Sequence, residues 1–182
     1  MEITQTLYIT DRKDWRNWLK KHHKTEPEIW LIYPKKATGK PRIEYNDAVE
    51  EALCFGWIDG IAKKLDPERT AQRFTPRRAK SNWTELNKER ARRLIASGQM
   101  TPAGMAILPD LDPGAFTVAD DILAVLQADP QTWANFQGFP DLYKRVRIGY
   151  IEEVRKQPAV FQQRLANFLK KTSANKMFGT LA

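Results

Sequence analysis

The stretch between residues 57 and 87 brings together side chains that can hold an anion. Arg73, Arg77 and Arg78 carry guanidinium groups, which bind carboxylates and phosphates through paired N–H donors. A helix predicted to begin near Ser81 adds backbone N–H groups that also favour negative charge. Asp59 can orient one arginine, and two tryptophans can supply stacking faces. The candidate ligand-binding residues are Trp57, Asp59, Arg73, Arg77, Arg78, Ser81, Trp83 and Asn87.

The same residues also fit a purely structural interpretation. In that interpretation Asp59 only neutralises an arginine, Ser81 only caps a helix, and both tryptophans lie in the core. If residues 57–75 form a hairpin, Asp59 and Arg73 stand at heights that allow contact. The spacing of the residues leaves both interpretations open.

Catalytic chemistry finds less support in the sequence. Cys54 follows apolar Leu53 near a predicted helix C-terminus, which favours a buried structural thiol over a nucleophile. Asp59 could act as an acid or base with Glu44 or Glu51, but nothing fixes their separation. The G-x-S-x-G, P-loop, G-x-G-x-x-G and H-E-x-x-H patterns do not occur. We therefore predict no catalytic residue, metal ligand or cofactor, and a hydrolase working through Asp59 stays an alternative.

The positive charge of the chain is concentrated in one segment. The net charge is +8, and residues 61–100 alone carry +7. This segment also contains tryptophan and phenylalanine, a combination that suits tracking of a nucleic-acid backbone with base stacking. Nucleic-acid binding by residues 61–100 is therefore an alternative to an anionic small molecule. We expect the small molecule, because Glu85 and Glu89 lie among the helical arginines and no recognition motif occurs.

The elements that position these residues predict an α+β fold. A small antiparallel sheet of three or more strands is packed with helices, and an all-helical section follows it. A linker rich in proline and aspartate at 109–114 divides the chain into an α+β domain, 1–110, and a helical domain, 115–182. The predicted elements are a helix from Thr10 or Asp11 to Lys21, a strand at 28–33, a helix capped by Asn46 or Asp47, a hairpin at 57–75, and a helix at 83–97 capped by Ser81 or Asn82.

Composition narrows the class of protein further. The chain has 182 residues and one cysteine, which excludes an internal disulfide framework. No apolar run approaches the length of about 18–20 residues that a membrane helix needs, so we expect no membrane insertion. The first residues lack the pattern of a secretory signal, so we expect a cytoplasmic protein. The oligomeric state is not predicted.

Four short motifs resemble those of the YdeI/OmpD-associated family, whose members are often described as bacteriocin-protection proteins. They are ALCFGWIDG at 52–60, FTPR at 74–77, SNW at 81–83 with Asn87, and GQMTPAG at 98–104. The resemblance covers about residues 5–110. The C-terminal part resembles the small helical C-terminal domain of that family, but EVRKQPAVF at 153–161 lacks the Thr-Arg pair that follows its basic stretch. Thr84 stands where serine is common.

The resemblance implies an uncharacterised bacterial stress or bacteriocin-protection protein without a defined catalytic activity. The family description also mentions association with an outer-membrane porin. Since no export signal is visible, we do not expect direct porin binding.

Overall fold

A mixed sheet forms the centre of the first part of the chain. The computed structural model describes residues 2–78, 81–179 and 181, and it confirms the α+β class. Among these residues the sheet has four strands, in the order β1 (Thr6–Leu7), β2 (Ile29–Pro34), β4 (Arg69–Pro76) and β3 (Trp57–Lys64). The β3–β4 hairpin and the β2–β4 pair are antiparallel, as predicted, but β1 pairs with β2 in parallel. The sheet is therefore mixed and not purely antiparallel.

A bulge interrupts the hairpin next to Asp59. Asp59 pairs with Phe74, and the next registered pair is Ala62 with Gln72, so two residues of β3 stand against Arg73. A bulge of this kind bends its strand and changes the direction of the side chains beside it. Asp59 lies at the point where the regular pairing ends.

Two helices cover the face of the sheet that carries Asp59 and Phe74. These are α1 (Arg12–His22) and α2 (Tyr45–Cys54). The Trp15 ring of α1 meets the Phe74 ring edge-on at 5.5 Å, and its Nε1 donates to the Ala48 carbonyl oxygen of α2 at 3.0 Å. Asp11 caps α1 by accepting from the Asp14 amide, as the sequence predicts. For α2, by contrast, no capping hydrogen bond from Asn46 or Asp47 occurs, because the helix begins earlier, at Tyr45.

A buried carboxylate joins α1 and α2. Glu51 is 2% exposed and accepts from Arg12 Nε at 2.5 Å and from Arg16 Nη1 at 2.6 Å. Arg12 Nη2 also donates to the Gln99 side chain, and Arg16 Nη2 to the Gln99 carbonyl oxygen. Both arginines therefore hold three chain segments together, and Glu51 compensates their charge inside the fold.

The motif GQMTPAG holds the C-terminal end of α2. Gly98, at φ +67°, follows α3 (Glu85–Ala96). Thr101 caps α4 (Pro102–Met105), and its hydroxyl donates to the Cys54 carbonyl oxygen at 2.5 Å. A Cβ added to Gly104 would lie 2.4 Å from the same oxygen. Thr101 thus donates a hydrogen bond to the last turn of α2, and Gly104 packs closely against the same turn. Both residues therefore have a structural role.

The chain divides into two compact units. The first unit consists of Met1–Asn82 and Arg90–Pro109, and the second consists of Trp83–Glu89 and Asp110–Ala182. In the second unit α5 (Asp120–Gln127), α6 (Pro130–Gly138), α7 (Asp141–Glu152) and α8 (Pro158–Ser173) surround their own core. The largest buried aromatic rings of that core are Tyr143 and Phe168. The helical character predicted for this part of the chain is confirmed.

We expect Glu51→Gln to lower the free energy of unfolding by about 2 kcal/mol, because the amide cannot neutralise two guanidinium groups. The loss stays near that value since both arginines are about a third exposed and regain some hydration. Urea unfolding followed by tryptophan fluorescence measures the change. Glu68→Gln removes an exposed partner of Lys40 and serves as the matched control, with an expected change below about 0.5 kcal/mol. Equal effects of both substitutions would contradict the assigned role of Glu51.

Gly104→Ala should cost about 1–3 kcal/mol, because the new methyl group meets the carbonyl group of Cys54 and one of the two backbones must move. Gly138→Ala is the control, since a Cβ there meets no atom within 4 Å and alanine favours the helix. Thermal unfolding of both variants checks this expectation. A Gly104→Ala protein as stable as the wild type would show that α4 is not closely packed on α2.

Candidate functional site

A hydrogen-bonded tyrosine and aspartate stand where α2 begins and the hairpin bulges. Tyr45, the first residue of α2, donates from its hydroxyl to Asp59 Oδ2 at 2.5 Å. The Tyr45 ring is 45% exposed, so this pair is accessible to solvent. Burial of the hydroxyl end and the bond to Asp59 raise the pKa of Tyr45, which keeps it a proton donor at neutral pH.

A second tyrosine lies on the same face of the sheet. Tyr33 of β2 pairs with Thr70 of β4, four residues from Phe74, so strand alternation puts it on the face of Asp59. It is 8% exposed, and among the described residues its hydroxyl has no hydrogen-bond partner. Burial raises the pKa of Tyr33, and the charges of Arg42, Asp59 and Glu44 also act on it. A buried hydroxyl that finds no acceptor in the fold is available to a ligand.

Two buried arginines, Arg77 and Arg90, interact electrostatically with Asp59. Arg77 is 7% exposed and Arg90 is 6% exposed. Arg77 Nη1 donates to Ser81 Oγ at 3.0 Å and to a backbone carbonyl oxygen, while Arg90 Nη2 donates to Asn46 Oδ1 at 2.7 Å. Burial lowers the pKa of Arg77 to about 10, and the charge of Asp59 opposes that shift. Burial also lowers the pKa of Arg90, and the charges of Glu50 and Asp59 oppose it.

We call a set of six residues the Asp59 cluster: Tyr33, Tyr45, Asn46, Asp59, Arg77 and Arg90. This cluster combines two buried cations with the hydroxyl groups of two tyrosines. The Arg77 guanidinium group keeps its proton at neutral pH, since its lowered pKa of about 10 lies well above 7. A buried cation gains most from a nearby anion, because little water screens the attraction. The chemistry that this arrangement favours is the binding of a small anion.

Two family models match the chain. Residues 7–107 match the model described as a domain of unknown function (DUF8412). Residues 115–175 match the model described as Bacteriocin-protection, YdeI or OmpD-Associated. The chain belongs to the DUF8412 family and carries a YdeI- or OmpD-associated region. No curated protein and no solved structure matches it significantly.

The predicted resemblance of the helical C-terminal part to the YdeI/OmpD-associated family is thus confirmed, whereas residues 7–107 match DUF8412. The four motifs that resemble that family lie between residues 52 and 104, within the match to DUF8412. The region named for bacteriocin protection is the helical C-terminal part. In this DUF8412 member, the motif GQMTPAG is explained by the packing of α4 against α2.

The structure brings together Asp59, Arg77 and Ser81 of the predicted ligand-binding residues. Arg73 stands apart from them: its guanidinium binds Glu28, with Nε donating at 2.6 Å, and it projects from the opposite face to Asp59. Asp59 therefore does not orient Arg73, and the expected contact between them is wrong. Ser81 accepts from Arg77, whereas Thr84 caps α3 by accepting from the Asn87 amide at 3.1 Å. The prediction of Ser81 as the helix cap is also wrong.

The remaining predicted residues have other surroundings. Trp57 is fully buried and donates from Nε1 to the His23 carbonyl oxygen, so its ring is part of the core and not a stacking face. Arg78 is exposed. Trp83 and Asn87 belong to the second unit, where Trp83 is half-buried and Asn87 is buried. A ligand-binding role for Arg78, Trp83 and Asn87 stays a prediction.

Sequence reasoning missed Tyr33, Tyr45, Asn46 and Arg90. A tyrosine near the end of an apolar strand and a Tyr-Asn pair at a helix start were the available signals. Neither signal connects these positions to Asp59, because the contacts span the sheet and two helices.

Ion pairs use much of the charge in the basic segment. Arg69 binds Asp66 at 2.6 Å, Arg93 binds Glu50 at 3.3 Å, and Lys88 binds Glu85 at 2.8 Å. Arg77 and Arg90 are buried. These five side chains are thus either paired with a carboxylate or buried, and nucleic-acid binding by residues 61–100 stays a prediction.

Across residues 2–78, 81–179 and 181, no group of three or more histidine, cysteine, aspartate or glutamate side chains is arranged to hold a metal ion. Within the same ranges, no helix has the length and apolarity required to cross a membrane.

Cys54 should react slowly with thiol reagents in the folded protein. It is buried at the end of α2, and burial, assisted by the charge of Glu51, raises its pKa to about 11. We expect the reaction with a disulfide reagent near neutral pH to be roughly 100-fold slower than that of free cysteine, because the thiolate is scarce and shielded. The chain unfolded in urea is the control and should react at the rate of free cysteine. Rapid labelling of the folded chain would contradict the structural assignment of this thiol.

Proposed function

We propose that the first unit binds a small anionic molecule at the Asp59 cluster, and that this binding serves a stress or bacteriocin-protection role. The observation that carries the proposal is the pair of guanidinium groups, Arg77 and Arg90, each more than nine-tenths buried and each within the electrostatic reach of Asp59. A phosphate or carboxylate adds the negative charge that such a pair favours. The protective role rests on the description of the family that matches residues 115–175.

The Tyr33 hydroxyl adds a hydrogen-bond donor to the proposed anion site. Tyr33 supplies a buried O–H without an acceptor in the described fold, whereas the hydroxyl of Tyr45 already donates to Asp59. An anion that accepts from the Tyr33 hydroxyl satisfies it, and the anion also interacts with the guanidinium charges. Asp59 opposes the anion electrostatically, so it limits the affinity and restricts the site to ligands that tolerate a carboxylate nearby.

Binding without catalysis is part of the proposal. Asp59 already accepts from Tyr45, and the sequence shows no established nucleophile motif. The cytoplasmic location predicted from the sequence stays a prediction, and direct contact with a porin is not proposed.

We expect Arg77→Gln to weaken the binding of inorganic phosphate about tenfold, because it removes a charge-assisted donor. Asp59→Asn should strengthen binding several-fold, since it removes the opposing charge while keeping the side-chain volume. Isothermal titration calorimetry measures both affinities. Arg69→Gln is the matched control: it removes an exposed arginine of β4 that pairs with Asp66, and it should leave the affinity unchanged.

Tyr33→Phe separates a binding role from a structural one. Since the Tyr33 hydroxyl has no partner in the described fold, its removal should leave the free energy of unfolding unchanged or slightly higher. The same variant should bind phosphate several-fold more weakly.

If Arg69→Gln weakens phosphate binding as much as Arg77→Gln does, the attraction is nonspecific and the proposed site is contradicted. Salt-dependent binding of oligonucleotides with no phosphate binding would favour the nucleic-acid alternative. Turnover of an ester or phosphate substrate that Asp59→Asn abolishes would establish a hydrolase instead.

A further inference from the structure

The second unit contains a cavity of about 510 Å³ between α7, α8 and the segment that follows α8. This volume falls in the range of about 300–1,000 Å³ that is typical of small-molecule sites. Its described lining includes two arginines, Arg147 and Arg164, and the amide side chains of Gln163 and Asn167. The walls between them are apolar and aromatic, with Phe168 and Phe178 among them.

Arg164 is held in place at one side of this cavity. Its guanidinium carbon lies 3.6 Å from the centre of the Tyr150 ring, and its Nη1 donates to the Tyr150 carbonyl oxygen. Glu153 approaches Nη1 only to 3.9 Å. Stacking on an aromatic ring fixes the plane of a guanidinium group while leaving N–H donors at its edge for another group.

Arg147 is fixed by aromatic rings as well. Its guanidinium carbon lies 5.8 Å from the centre of the Tyr143 ring and 5.4 Å from that of Phe178. The chain after α8 closes over it: a Cβ at Gly179, which has a φ of +75°, would lie 2.2 Å from Arg147 Nη1. The two arginines of the cavity are thus preorganised, which lowers the entropy cost of binding.

We infer that this cavity binds an organic anion with a flat aromatic body. The described lining carries two guanidinium groups and no carboxylate. Glu153, outside the lining, reaches Arg164 only at 3.9 Å, so an anion can approach Arg164 more closely than Glu153 does. The rings of Phe168 and Phe178 and the side chains of Ile151 and Val160 offer apolar contact to a planar group. The amides of Gln163 and Asn167 stand one helical turn apart and can satisfy further polar atoms. Apart from Phe178, the described lining lies in the YdeI- or OmpD-associated region, and it shares no residue with the Asp59 cluster.

The test compares 2-naphthoate with 2-naphthamide, a neutral molecule of nearly the same shape, by isothermal titration calorimetry on the full chain. We expect naphthoate to bind at least about tenfold more tightly than naphthamide, because only its carboxylate pairs with the arginines. Arg164→Gln should remove most of that preference. Lys170→Gln, which removes a positive charge from an exposed position of the same helix, is the matched control and should change nothing.

A second variant tests the cavity without changing either arginine. Gln163→Trp places a large side chain at an exposed position of the lining and should block naphthoate binding while the circular dichroism spectrum stays that of the wild type. Arg77→Gln, in the first unit, should leave naphthoate binding intact, so failure of one site is distinguishable from failure of the other. Absence of naphthoate binding, equal affinity for the amide, or equal loss in Lys170→Gln would overturn the inference.

Discussion

The first unit depends on the compensation of one buried negative charge. Glu51 sits almost without solvent contact on α2, and Arg12 and Arg16 of α1 reach it directly. A carboxylate in that position is tolerable only with both partners in place, so the two helices have one compatible arrangement over the sheet. Because the same arginines bind Gln99, this arrangement also positions the chain that leads into α4.

The position of the Asp59 cluster follows from that arrangement. Once α2 is fixed on the sheet, its first residue, Tyr45, reaches the bulge of β3 and the carboxylate of Asp59. The bulge matters because it ends the regular pairing beside Asp59, at the edge of the area that the helices cover. Two buried arginines then come within electrostatic reach of one aspartate. Burial has the largest effect on the pKa of each guanidinium group, and the charge of Asp59 opposes it.

Parts of the site were predictable because they depend on local chemistry. The hairpin, with Asp59 and Arg77 near its open end, follows from strand and turn residues, and the structure confirms it. The contact between Asp59 and Arg73 was wrong because a bulge cannot be located from the sequence, and strand alternation then separates the two side chains onto opposite faces. Thr84 caps α3 in place of the predicted Ser81 or Asn82, because the helix begins only at Glu85.

The sequence by itself determined the α+β class, the helical C-terminal part, the concentration of charge in residues 61–100 and the family resemblance. These properties are written in composition, periodicity and short motifs, which need no knowledge of distant contacts. Only the tertiary structure decided which arginines are buried and which form ion pairs. It alone also placed Tyr33, Tyr45 and Arg90 near Asp59. The physical reason is that burial and electrostatic compensation depend on packing between elements far apart in the chain, and no local pattern encodes that packing.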